Sequence, residues 1–264
     1  MSDNKLNKKK VKTLKKKQVD VDIETTIDNF NKDLTLNPEN NEEKREVLSN
    51  SKEEDTNNII DKIHDIICKN TDDSIILLKN KEVIKWIFGD LSFLPEIEKK
   101  NKTTDNSKYK KLEDSWGKNM FKNKDPSKVL NKQWTNKFGE YLCIEIYSLF
   151  NKKATKPQKL NNHLPDIELD DCIIEVKTGT YYTEGTAHEK ILGCPFKYAD
   201  IPLIYSKPLK IFCVGGAEKK SRDNYGNLLG MKCSIKKKEF LEFFKKNGIE
   251  YIGATDLLKL LITN

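Results

Sequence analysis

Long apolar runs are missing from this chain of 264 residues. No stretch reaches the roughly 18 consecutive apolar residues that a membrane-spanning helix needs. The lysines near the N-terminus are not followed by the apolar segment of a secretion signal. We therefore expect a protein that neither enters a membrane nor is secreted, with a cytoplasmic location, or a nuclear one if the host is eukaryotic.

Paired cysteine motifs are also missing. The six cysteines are scattered, with no CxxC pair and no Cys/His pair at the spacing of zinc ligands. Cys68, Cys143 and Cys213 lie within apolar runs, where cysteine behaves as a small hydrophobic residue. The sequence therefore predicts free, buried thiols and excludes a disulfide framework.

Charge is abundant and unevenly distributed, with 34% charged residues and a formal net charge of +7. Residues 1–17 carry a net charge of +7, whereas residues 18–57 carry −8 and have few large apolar side chains. Such a segment cannot bury enough apolar surface to offset its chain entropy, so residues 1–57 are predicted to be a disordered tail. Its lysines between Lys8 and Lys17 fit a DNA-binding arm, a nuclear localisation signal or an inert tail equally well.

The remaining chain shows helical periodicity first and strand periodicity later. Residues 58–130 are predicted to be a helical region for recognition or dimerisation, and a strongly apolar helix is predicted over residues 134–150. Further predicted elements are strands at 166–169, 172–177, 209–214 and 251–254, and helices from 186 to 192, 236 to 246 and 256 to 262. The predicted fold class is α/β (α+β), a mixed β-sheet flanked by helices.

One predicted hairpin carries the candidate catalytic residues. If Asp170 and Asp171 form a two-residue turn, Asp166 faces Glu175 across the hairpin, with Cβ atoms roughly 5 Å apart. Lys177 lies two residues beyond Glu175 and therefore points to the same face of the strand. A slip of one residue in the register would separate these side chains.

Two carboxylates held this close repel each other, unless one takes up a proton or a cation lies between them. Oxygen ligands on a partly open surface suit Mg²⁺. With a lysine beside them, the residues match metal-assisted phosphodiester hydrolysis: Asp166 and Glu175 hold the ion, and Lys177 positions or activates a water molecule.

Pro165-Asp166, followed by Glu175-Val176-Lys177, resembles the active-site motif of the PD-(D/E)XK nuclease superfamily and, within it, type II restriction endonucleases. The resemblance covers about residues 131–216 and implies a restriction-endonuclease-like αβββαβ core, assigned to residues 131–264. It also implies Glu140, on the preceding helix, as an additional catalytic acid. For a restriction enzyme, a cognate DNA methyltransferase encoded separately is the implied partner.

Candidate DNA contacts lie beside this motif. Threonines, two tyrosines and one lysine follow the second strand of the hairpin, and two further lysines precede the hairpin. Lysines commonly supply contacts to DNA phosphates. The candidates are Thr178, Thr180, Tyr181, Tyr182, Thr183, Thr186, Lys190, Lys132 and Lys137.

The sequence thus predicts a Mg²⁺-dependent restriction endonuclease for double-stranded DNA, acting as a homodimer because both strands are cut. A repair, recombination or structure-selective nuclease on the same core is one alternative. A DNA-binding protein without catalysis is another, with Asp166, Glu175 and Lys177 as the solvated face of an ordinary hairpin. A requirement for metal would distinguish binding from catalysis.

Overall fold

A computed structural model gives the fold of the chain, which divides into two units, residues 1–56 and 57–264. In the first unit the described residues form part of one helix. The described residues of the whole chain are 41–98, 102–127, 134–183, 189–228, 230 and 232–263. The predicted basic segment 1–17 and the tail as far as residue 40 lie outside them.

Helices and strands alternate in the second half of the chain, after a helical first half. The helices are α1 (Asn41–Cys68), α2 (Lys81–Phe88), α3 (Lys102–Lys124), α4 (Thr135–Ser148), α5 (Glu189–Leu192), α6 (Cys194–Lys197), α7 (Ile201–Tyr205), α8 (Gly216–Lys220), α9 (Ile235–Lys246) and α10 (Ala254–Leu260), with a π-helical turn at Ser221–Tyr225. The strands are β1 (Ile167–Glu168), β2 (Ile173–Gly179), β3 (Leu209–Gly215) and β4 (Ile249–Gly253).

The described strands form one mixed sheet in the order β1-β2-β3-β4. β1 and β2 are antiparallel, and the other two pairs are parallel. Ile167 pairs with Ile174, which is the register that the two-residue turn predicts. An antiparallel bridge also joins Thr155 to Glu168 at the outer edge of β1. The prediction of a mixed sheet flanked by helices is confirmed.

The two faces of the sheet contact two different apolar clusters. Ile174 and Val176 of β2 belong to the larger core, which also contains α4 residues, whereas Ile173 belongs to a smaller core with residues of α5, α6 and α7. Because side chains alternate along a strand, Glu175 and Lys177 share the face of Ile173. The predicted orientation of Glu175 and Lys177, opposite to Ile174 and Val176, agrees with this division.

The helical region before residue 131 packs into the larger core instead of forming a core of its own. Trp86 of α2 lies with its ring centroid 5.5 Å from that of Phe138 of α4, in an edge-to-face arrangement. Ile60 of α1 and Phe121 of α3 are fully buried in the same cluster. The predicted regions 58–130 and 131–264 therefore share one core, and residue 130 is not a boundary between two folded domains. A role of residues 58–130 in recognition or dimerisation stays a prediction.

A buried carboxylate fixes the segment before α2 to α4. Glu145, only 1% exposed, accepts hydrogen bonds from the backbone N–H groups of Ile76, Leu77 and Leu78 at 2.9 to 3.1 Å. Its charge is compensated by an ion pair with Lys124 of α3. These contacts satisfy backbone donors that burial would otherwise leave unpaired, at a cost of about 1–3 kcal/mol each.

The structure differs from the prediction in part of the N-terminal tail. α1 begins at Asn41, so residues 41–57, predicted to belong to the disordered tail, are helical. Many of these residues are Glu, Lys or Arg, which have good helix propensity although they cannot build a core. Downstream, the described part of the predicted helix 186–192 is helical, as α5, whereas Thr186, its predicted cap, lies outside the described residues.

All six cysteines are free thiols, as predicted, and five of them are buried. The predicted burial of Cys68 is wrong: it lies in an apolar run, but as the last residue of α1 it is exposed. In the part of the chain that the structure describes, no helix has the length and apolar composition to cross a bilayer.

Candidate active site

The β1–β2 hairpin places the Asp166 carboxylate against the backbone of β2. Asp166 immediately precedes β1, and the register places it opposite Glu175, as predicted. Its Oδ2 atom accepts a 2.8 Å hydrogen bond from the backbone N–H of Val176. Among the described residues nothing donates to its other oxygen, Oδ1, and the residue is half-buried. One carboxylate oxygen is thus held while the other remains open to a ligand.

Glu175 and Lys177, two residues apart on β2, form an ion pair. The Lys177 Nζ atom lies 2.6 Å from Glu175 Oε1, and the Glu175 residue is 6% exposed. The hydroxyl of Tyr198 donates a second hydrogen bond to the same oxygen, at 2.7 Å. Within the described residues, Glu175 Oε2 has no protein donor. Both carboxylates of the predicted motif therefore keep one oxygen available.

The two carboxylates influence each other electrostatically. Burial, and next the negative charge of Glu175, raise the pKa of Asp166 to about 6. The Val176 hydrogen bond and the charge of Lys177 oppose this rise. For Lys177, burial is the largest single effect and lowers the pKa, but the charge and hydrogen bond of Glu175, together with the nearby Cys194 and Asp166, outweigh it and raise the pKa above the usual value. Lys177 is therefore a cation at neutral pH.

Glu140 lies beside Asp166, on α4. Its negative charge contributes to the raised pKa of Asp166, and its own Oε2 atom lies 2.5 Å from Lys137 Nζ. Both residues, together with Asp166, line an open cavity of about 440 Å³ between α4 and the start of β1. We call this the site cavity; Lys156 and Pro165 also line it. Glu140, the additional acid that the resemblance implied, is thus close to the hairpin carboxylates but forms an ion pair with Lys137.

A metal site of three protein ligands is not preformed in the described part of the chain. No group of three or more His, Cys, Asp and Glu side chains gathers there closely enough to hold an ion. Mg²⁺, however, is commonly held by only one or two carboxylates, with water and substrate phosphate completing the octahedron. The open oxygens of Asp166 and Glu175 and their mutual repulsion fit such an ion.

Two of the predicted DNA contacts have structural partners instead. Thr180 is 4% exposed and shares a hydrogen bond with Thr183. The Tyr181 hydroxyl donates to the Trp86 carbonyl at 2.5 Å, and its ring packs edge-on against that indole. These side chains were predicted to contact DNA because they follow the motif strand, but in the structure both make contacts within the protein.

The other predicted contacts are more accessible. Lys137 and Lys190 are exposed, while Thr178, Tyr182 and Thr183 are half-buried. Tyr182 stacks on Tyr109 with ring centroids 5.0 Å apart. Lys132 and Thr186 lie outside the described residues. Contact of the accessible residues with DNA stays a prediction.

Two residues of this neighbourhood could not be found from motif spacing. Tyr198 reaches Glu175 from the end of α6, 23 residues further along the chain. Glu113 of α3 is fully buried and accepts hydrogen bonds from Trp86 Nε1 at 2.7 Å and from the backbone N–H of Tyr181, just after β2. Burial raises the pKa of Glu113 to about 7. Contacts over such sequence distances leave no local signal.

Comparison of the chain with protein-family models, with curated proteins and with solved structures finds no match.

Proposed function

We propose that this protein is a Mg²⁺-dependent endonuclease that hydrolyses phosphodiester bonds of double-stranded DNA, in the manner of a type II restriction enzyme. The observation that carries the proposal is the hairpin register. It brings Asp166, Glu175 and Lys177 together with one open oxygen on each carboxylate. A solvated surface face would not require Glu175 to be 6% exposed and to hold two hydrogen bonds on one oxygen.

Asp166 and Glu175 would hold the ion through Oδ1 and Oε2. A bound Mg²⁺ would polarise the phosphate and lower the pKa of a water molecule. Lys177, kept protonated by Glu175, stabilises negative charge that develops on the phosphate oxygens. Its raised pKa favours this electrostatic role over proton abstraction. Glu140 supplies a further carboxylate at the wall of the site cavity once Lys137 leaves it to bind a DNA phosphate.

The order of elements supports the restriction-endonuclease-like core. The chain runs from α4 through the single-residue bridge at Thr155 to β1, β2, the helices α5–α7 and then β3. This order matches αβββαβ when the Thr155 bridge is counted as the first strand. The parallel strand β4 extends the sheet beyond that core.

Positive charge lies where a DNA backbone would approach. Lys137 and Lys156 line the site cavity. Phosphate contacts of this kind supply affinity without sequence specificity. Cleavage of both strands would require two such sites, which a homodimer provides.

The test is digestion of a phage genome and a supercoiled plasmid with Mg²⁺, beside reactions in EDTA. Asp166→Asn and Lys177→Ala should abolish cleavage, since one removes a ligand charge and the other the cation. Asp171→Asn is the matched control, because Asp171 lies in the same hairpin but its side chain is 54% exposed and pairs only with Lys152 among the described residues.

Discrete bands with wild type and Asp171→Asn, absent in EDTA and in both site variants, would support the restriction-type function. A metal-dependent smear or nicking would support a repair-type nuclease on the same site. DNA retention in a gel shift without any cleavage, unaffected by EDTA, would refute catalysis and favour a DNA-binding protein.

A further inference from the structure

Tyr198 has an unusual position relative to the proposed site. It follows α6 directly, and its hydroxyl lies 2.7 Å from Glu175 Oε1. Lys197 Nζ lies 2.8 Å from the same hydroxyl oxygen. Because an ammonium group can only donate, the Tyr198 oxygen accepts from Lys197 and its own proton is directed to Glu175.

The position of Tyr198 is fixed by the smaller core and by the backbone. Its N–H donates to the Cys194 carbonyl at 3.0 Å, and its carbonyl accepts from Ile201 N–H at 3.1 Å. Cys194 and Ile201 are buried in the smaller core beside Ile173 of β2. Since Ile173 and Glu175 share one face of β2, the packing that holds α6 also brings the tyrosine to the carboxylate.

Two donors therefore converge on a single oxygen of Glu175. Lys177 Nζ and Tyr198 hydroxyl both bond to Oε1, at 2.6 and 2.7 Å. Lys177 also lies over the tyrosine ring, 5.9 Å from its centroid. With only the flexible lysine as donor, the carboxylate could rotate. The second donor, on a rigid ring, restricts that rotation, and among the described residues Oε2 has no donor.

We propose that Tyr198 is a positioning residue for the cation site, which acts by holding Glu175 with Oε2 free to bind the ion. This inference rests on the proposed function, because it assigns Glu175 as a metal ligand. Partners of ligating carboxylates orient them, and loss of such a partner typically weakens metal binding or activity by about 10-fold to 100-fold. Tyr198 itself does not contact the ion or the DNA.

The experiment compares wild type with Tyr198→Phe in the full chain. Mn²⁺ binding without DNA is measured by electron paramagnetic resonance, and cleavage of plasmid DNA is measured against Mg²⁺ concentration. The metal midpoints are the Mn²⁺ concentration at half-maximal binding and the Mg²⁺ concentration at half-maximal cleavage. We expect Tyr198→Phe to raise both by about 10-fold, with the cleavage rate at saturating Mg²⁺ close to that of wild type. A residue that only supports folding would instead lower the fraction of active protein equally at all Mg²⁺ concentrations.

Tyr205→Phe is the matched control. Tyr205 lies on the adjacent helix α7 and donates its hydroxyl to the carbonyl groups of Gln158 and His163, at 2.7 and 3.1 Å, rather than to a site carboxylate. It should leave both metal midpoints unchanged. Thermal unfolding of both variants shows whether the loss of a hydroxyl has altered the fold.

Unchanged metal midpoints in Tyr198→Phe, with an active wild type, overturn the inference and leave the proposed function standing. A shift of equal size in Tyr205→Phe also overturns it, because the effect would then be general loosening of the α6–α7 region. A wild-type protein that neither binds Mn²⁺ nor cleaves DNA refutes the proposed function, and this inference with it.

Discussion

Val176 donates its backbone N–H to Asp166 at 2.8 Å, so the strand that carries Glu175 and Lys177 also holds the first acid of the motif. The contact crosses the hairpin between residues ten positions apart. A backbone donor cannot change its rotamer, and it therefore orients the carboxylate more rigidly than a side chain would. The hairpin register therefore fixes the position of Asp166 relative to the strand that carries Glu175.

The first prediction concerns the coupling between the two acids in metal-free protein. Replacement of Glu175 by glutamine removes the negative charge that helps to raise the pKa of Asp166 to about 6. We expect Glu175→Gln to lower that pKa toward the usual 3.8, although burial keeps it somewhat raised. Carboxyl chemical shifts in a pH titration by NMR measure the change. An unaltered Asp166 titration would mean that the two carboxylates are not neighbours.

The second prediction concerns the packing of α4 on β2. A Cβ atom added at Gly139 would lie 1.9 Å from Thr178 Cγ2 and 3.3 Å from Val176 Cγ1. Gly139→Ala should therefore destabilise the fold by about 1–3 kcal/mol through overpacking, as measured by denaturant unfolding. In Gly193→Ala the nearest atom is 3.9 Å away, so this control should unfold like wild type. Thr178→Ala should partly rescue Gly139→Ala.

The third prediction concerns the pH dependence of stability. Burial raises the pKa of Glu113 from 4.5 to about 7, so between these values the folded state binds more protons than the unfolded state. The stability that this group contributes is present below about pH 4.5 and declines as the pH rises to about 7, by roughly 3 kcal/mol.

Comparison with Glu113→Gln isolates this contribution. The variant keeps a side-chain oxygen for Trp86 Nε1 and Tyr181 N–H but does not titrate. The difference in unfolding free energy between wild type and variant should change with pH in that window and be constant outside it. A difference that is flat from pH 4 to 8 would contradict the raised pKa.

The fourth prediction concerns the attachment of the segment before α2. Glu145→Ala leaves the half-buried Lys124 without its carboxylate partner and three backbone N–H groups without an acceptor. We expect a loss of about 3 kcal/mol or more, together with faster proteolysis near residues 74–80. Asp171→Ala, which breaks the exposed pair with Lys152, is the control and should change stability little.

The chain by itself determined the hairpin and much of the sheet. Alternation of apolar and polar residues, with a two-residue turn at Asp170 and Asp171, specifies one register, because a slip would bury charges and expose Ile174 and Val176. β3 follows from a buried apolar run and α4 from its periodicity. The relation of Asp166, Glu175 and Lys177 is local in sequence, and it was therefore predictable.

The surroundings of these residues depend on contacts between elements that are distant in sequence. The contact of Tyr198 with Glu175 spans 23 residues, that of Glu113 with Tyr181 spans 68, and that of Glu145 with Leu78 spans 67. Contacts between residues distant in sequence also place α1, α2 and the sheet in one core. Periodicity reports which face of an element is apolar but not which other element covers it, and the pairing of faces depends on the whole packed core.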